Sequence, residues 1–205
     1  MVQRRGRSGV LLLAATALLC CSFAPSAYVP PTASSRRAAL AAPISAAILF
    51  AGVDSASAAV SACKPGANNC WSTASTDNRK MSAWAWPAGV SKGEAVKQLK
   101  SVIEAYPQEG QDSVDMGGWS YAVDTLADQG YARLEFKSGI GNFAKFFNGG
   151  KPFVDDFEVS VGDSSISVKS ASRLGDSDFN VNAKRCNYIA AALRAKGWDA
   201  PAIKF

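Results

Sequence analysis

From Val96 the apolar residues recur as Val96, Leu99, Ile103 and Tyr106, the spacing of one helix face, until Pro107 ends the pattern. Ser91-Lys92-Gly93-Glu94 has the form of a capping box, so a helix is predicted over about 91–105. The period then changes to two. Trp119, Tyr121 and Val123 fall on one side of an alternating segment, as do Ala132, Leu134 and Phe136, with Arg133, Glu135 and Lys137 opposite the latter. Such alternation turns one face of each strand toward a core and the other toward water, and Asp128-Gln129-Gly130 supplies the turn. A second pair, Phe157-Val159-Val161 and Ile166-Val168, is joined across Gly162-Asp163-Ser164-Ser165, a four-residue hairpin loop. Helical spacing returns from Cys186 to Lys196, with Gly197 as the cap and Pro201 beyond it. A helix, four antiparallel strands and a closing helix predict an α+β fold. It is a two-layer domain with an antiparallel sheet of about four or five strands, packed by two main helices.

Ahead of this body the pattern is that of addresses. A basic start through Arg7 and an apolar run from Val10 to Cys20 have the layout of a secretory signal, expected over 1–22. Ser22-Phe23-Ala24-Pro25 then opens a stretch poor in acids and rich in Ser, Ala, Pro and Arg. Together the two resemble the bipartite leaders of algae with complex, red-derived plastids. Ser35-Arg36-Arg37 precedes a second apolar run, Ala38 to Val53, which closes in the small residues Ser55-Ala56-Ser57-Ala58-Ala59. This is similar to a twin-arginine signal, so 23–58 is expected to carry the chain into the plastid and on to the thylakoid lumen. The run is 16 residues long and contains Pro43, short of the roughly 20 needed for a membrane span. The mature domain is therefore expected over 59–205, peripheral to a membrane at most.

Composition sharpens this picture in two ways. The 205 residues contain no His, which excludes Ser-His-Asp and Cys-His nucleophilic sites, His-ligated metals and the ordinary neutral-pH proton shuttle. The net charge of +5 is also misleading: of the 22 Lys and Arg, five lie before residue 59 with a single acid, leaving 17 bases against 16 acids beyond. A nearly neutral body does not point to a nucleic-acid partner.

The body holds three of the five Cys and all five Trp. Cys63 and Cys70 flank the loop KPGANN, and two thiols without a nearby His make a disulfide the stronger reading over a metal site, stabilising by roughly 2–3 kcal/mol. Cys186 shares a helical face with Ile189, Ala190 and Leu193 and reads as a buried, inert thiol. Trp71, Trp84 and Trp86 cluster in a loop-like segment. They are either core residues or, if exposed, interface anchors, since Trp is enriched among binding hot spots. The stretch Ser138–Gly150, with Phe143, Phe146 and Phe147 among its glycines, is suited to closing over the sheet or docking on a partner.

The densest chemistry lies at 150–185. Asp155 and Asp156 fall on opposite faces of an alternating strand, and Arg173 is the expected guanidinium mate of whichever turns inward. Ser170, Ser172, Asp176, Asp178, Asn180 and Asn182 fill the joint before the last helix. The first reading is structural, with Asp178 or Asn180 capping that helix. The alternatives are a hard-cation site on Asp155, Asp176 and Asp178, or a carboxylate pair for acid/base work.

FVDDFEV, SASRLGDSDFNVNAKR, the pair in CKPGANNC and the DMGGW segment together resemble the domain-of-unknown-function family numbered 1499, in its plastid-lumen form. The resemblance runs from about Cys63 to Lys196. Its motif residues here are Asp155, Asp156, Ser172, Arg173, Gly175, Asp178, Asn182 and Arg185. Family members tend to carry Arg at Lys169 and Gly at Asn180. The resemblance implies a fold and a location but no reaction. The residues themselves imply no catalytic residue, no resident metal and no cofactor. The leading expectation is a non-enzymatic lumenal accessory protein, a peripheral subunit or assembly factor of a photosystem complex. A carrier of a small ligand, pigment or lipid, is the alternative, favoured if an apolar cavity faces Phe143, Phe146 and Phe147. A hydrolase using Asp155 or Asp156 as base is the third.

Overall fold

The computed structural model describes residues 59–139, 141 and 146–205. The expected leader segments, 1–22 and 23–58, lie outside the described residues, as does Phe143. Helix α1 spans Lys92–Glu104, and the Ser91 hydroxyl accepts from the Glu94 backbone N–H, as the capping box predicts. Its buried face is Ala95, Leu99, Val102 and Ile103.

The alternating segments form β3, Trp119–Thr125, and β4, Tyr131–Lys137, separated by the one-turn helix α2, Leu126–Gln129. The hairpin strands are β5, Val154–Val161, and β6, Ser165–Ser172. Ser165 belongs to β6, and its carbonyl accepts from Gly162 N–H at 2.8 Å, so the loop has three residues, one fewer than the spacing suggests. Two short strands join them: β1, Cys70–Ser72, and β2, Trp84–Ala85. Both pair with the outer edge of β6, β1 near Ser170 and β2 near Ile166. Between them Thr73 N–H donates to Val168 O and its hydroxyl accepts from Val168 N–H. The sheet is antiparallel throughout, in the order β1-β6-β5-β4-β3.

One face of this sheet is the core. Ala132, Leu134 and Phe136 of β4 meet Phe157, Val159 and Val161 of β5, then Ile166 and Val168 of β6. Against them lie α1 and the final helix α3, Val181–Arg194, giving two layers. Burying a side chain such as Phe157 contributes on the order of 2 kcal/mol. On the far edge, β3 carries a bulge between Tyr121 and Val123, which shifts its register by one residue and blunts an exposed edge.

Helix α3 begins five residues before the hydropathy pattern does. Its first turns bury Asn182, Ala183, Arg185 and Cys186, so the helical spacing is kept while the inward residues are polar.

Candidate functional site

Arg185 is fully buried and all five of its N–H donors are used. Nε donates to Asp115 Oδ2 at 2.8 Å, and Nη2 bonds Asp115 Oδ1 and reaches Asp155 Oδ2 at 2.8 Å. Nη1 donates to Ser170 Oγ at 3.0 Å and to Asn182 Oδ1 at 2.9 Å. The guanidinium also lies over the Phe136 ring, 4.5 Å from its centroid. Burial alone would drive the proton off this cation, but Asp115 and Asp155 outweigh it and hold Arg185 more firmly charged than a free arginine.

Asp115 is the second anchor. Its Oδ2 also accepts from the Tyr106 hydroxyl at 2.7 Å, and burial together with this carboxylate pushes the Tyr106 pKa well above the ordinary tyrosine value. The loop that delivers Asp115 is held by a tight turn in which Gln111 N–H bonds Val114 O and Val114 N–H bonds Gln111 O. Gly110 has φ +80, and a Cβ there would collide with the Val114 carbonyl. Asp112, Ser113 and Asp115 themselves sit at positive φ. Such backbone persists only where its surroundings over-determine it.

Asn182 ties the network to the strand-to-helix joint. Its Nδ2 donates to Asn69 O, Ser172 Oγ and Asp178 Oδ2, while Ser170 Oγ donates to its Oδ1 at 2.6 Å. Asp178 caps α3, accepting from Asn180 N–H and Asn182 N–H. Asn180 is the cap by position, at φ 63, and makes no side-chain cap bond.

Several expectations are corrected. Asp155 and Asp156 do face opposite ways, but the mate of the inward Asp155 is Arg185. Arg173 sits on the other face, donating to Asp156 at 2.8 and 2.7 Å and to Glu135 at 2.5 Å. Ala171 pairs with Asp156 in the register, and Arg173, two residues on, shares its face. The hard-cation reading fails too: both Asp178 oxygens are taken by α3, and among the described residues no three His, Cys, Asp or Glu side chains group to hold a metal ion. Trp71, Trp84 and Trp86 are not interface anchors. All three are buried, Trp84 against Phe157 and Trp86 against Trp198.

The disulfide Cys63–Cys70 is formed. It closes the loop that holds Asn69, whose Nδ2 donates to Gly175 O at 2.5 Å. Cys186 is a free, buried thiol whose pKa burial pushes up to about 12.

Above the network lies a cleft of about 850 Å³. Asp115, Asp155, Ser172 and Asp178 lie along it, while Met116, Phe147, Phe153, Leu174 and Phe179 give it apolar walls. Met116, Leu174 and Phe179 are each more than half exposed. Asp176 stands exposed among the lining residues. Phe146 is exposed as well, outside the lining.

A family model described as a protein of unknown function, DUF1499, matches residues 59–193, well over half of the chain. The chain belongs to the DUF1499 family. No curated protein matches it. The matched span contains the whole Arg185 network; of the residues that the resemblance leads one to expect as motif residues, Asp155, Ser172, Asp178, Asn182 and Arg185 form one bonded unit, with Asp156 and Arg173 on the opposite face. At Asn180 the backbone is left-handed, and Asn is, after Gly, among the residues that best tolerate it. Nothing local in the sequence marks Tyr106 or Asn69 as site residues. The one local cue to Asp115 is its place in the DMGGW segment, beside Gly117 and Gly118, and that cue does not reveal its burial.

Proposed function

We propose that this DUF1499 domain is a non-enzymatic binding module of the plastid thylakoid lumen that takes a small amphiphilic molecule, of the pigment or lipid kind, into the cleft. The observation that carries this reading is the cleft itself. Its volume falls within the range of small-molecule sites, which combine apolar walls with a few placed polar groups. Beneath it the Arg185 network fixes Asp155 and Ser172 in place, as a preorganised floor requires.

Two observations support a binding role over chemistry. Asp155 and Asp156 point to opposite faces, each held by a guanidinium, so they do not converge as an acid/base pair. Cys186 is buried and weakly acidic, and does not offer a thiolate. The lumenal location rests on the leader pattern, and the formed disulfide fits an oxidising compartment. The leading expectation, a peripheral photosystem subunit or assembly factor, loses one of its supports, since the tryptophans of the Trp-rich segment lie in the core.

Native mass spectrometry of the protein purified gently from thylakoid lumen tests this. The expected result is an added mass released by organic solvent, and lost in a Leu174→Asp variant. A bare protein that also fails to take up apolar probes would overturn the reading. Exclusive co-migration with a photosystem complex, with an empty cleft, would favour the accessory role.

A further inference from the structure

We infer that the molecule this cleft selects carries a positive, hydrogen-bond-donating head, an ammonium or guanidinium, on an apolar body. This rests on the binding reading above and adds the chemistry of the head.

The charge balance is the argument. Arg185 is one buried cation facing two buried carboxylates, Asp115 and Asp155. Asp115 is saturated: both its oxygens accept from Arg185, and Oδ2 from Tyr106 as well. Asp155 is not. It is only 7% exposed and lines the cleft, yet its carboxylate accepts one bond, from Arg185 Nη2 to Oδ2, and no described residue donates to Oδ1. A carboxylate oxygen in a nearly buried place, with excess negative charge around it, favours an N–H cation. Asp176 adds a second carboxylate, exposed and without an ion pair among the described residues. Among the described lining residues there is no Lys or Arg to compete. A fatty acid or an anionic lipid head would meet these carboxylates as a like charge. An ammonium seated on Asp155 would leave its tail along Met116, Leu174 and Phe179.

Isothermal titration of the protein with decylamine, decanol and decanoate, below their aggregation concentrations at pH 7 and low salt, separates head from tail. Decylamine is expected to bind at least about tenfold more tightly than decanol, roughly the gain of one charge-assisted hydrogen bond, with decanoate weakest. Added salt shrinks the advantage. Asp155→Asn should bring decylamine close to the decanol affinity measured on that same variant; should that variant not fold, Asp176→Asn, at an exposed position, is expected to reduce the advantage several-fold. If decanol binds as tightly as decylamine, or decanoate more tightly, the cationic head is overturned and the cleft stands. If none of the three binds, the cleft reading falls with it. An advantage undiminished in the folded variants places the cation elsewhere and overturns the assignment to Asp155.

Discussion

Replacing Arg185 by Met keeps the length and most of the volume of the side chain while removing the charge. The loss is dominated by charge, because Asp115 and Asp155 are left side by side, both buried and both unpaired with any cation. Breaking a buried pair from one side costs about 3–5 kcal/mol. That is about a fifth or more of a typical domain's stability. At roughly 3 °C per kcal/mol for a domain of this size, the melting temperature should fall by about 10–15 °C. Arg173→Met is the control. Its guanidinium is 39% exposed, with partners Asp156 and Glu135 half-buried, and exposed pairs contribute about 1 kcal/mol or less. Urea unfolding followed by fluorescence of the buried tryptophans reads both, with equal m-values required for the comparison. The double variant Asp115→Leu with Arg185→Met should lose at least about 1 kcal/mol less than the sum of its parts, since it strands one charge fewer. If Arg185→Met falls within about 1 kcal/mol of Arg173→Met, the buried network does not hold the domain as argued.

Reducing Cys63–Cys70, or replacing both by Ser, should lower stability by roughly 2–3 kcal/mol, and protection of the Gly175 region in hydrogen exchange should fall first because Asn69 no longer braces it. Equal loosening everywhere would argue against that strut. Gly110→Ala should destabilise by more than about 1 kcal/mol, through positive φ and the Val114 carbonyl; a neutral result would contradict the tight turn under Asp115. Cys186 should resist a thiol reagent at pH 8 until the protein unfolds, its thiol being buried with a pKa near 12; prompt labelling of the folded protein would place it at the surface.

What was legible follows from which residues face inward. Helix α1 and strand β4 bury apolar side chains at strict period, so hydropathy located them. Helix α3 buries Asn182 and Arg185 in its first turns, so the same rule placed its start near Cys186, where the apolar face begins. The alternation rule correctly parted Asp155 from Asp156. It could not name their mates, because the β5–β6 register, with Asp155 opposite Ser172, decides which arginine shares a face with which acid. Strands β1 and β2 are three and two residues long and exist through pairing with β6, so no local period announces them. The tryptophans were ambiguous for the same reason: Trp86 is covered by Trp198, more than a hundred residues away in sequence. Asp115 was hidden because its partner lies 70 residues downstream and nothing in its own segment shows that it is buried.

The central claim, that the cleft above Arg185 is a ligand site, is tested most directly by mapping amide chemical shifts during a decylamine titration. The account predicts saturable changes centred on Ser113, Met116, Asp155 and the stretch from Leu174 to Phe179. Changes centred instead on the Arg133 and Glu135 face of the sheet, or none up to millimolar amine, would contradict it.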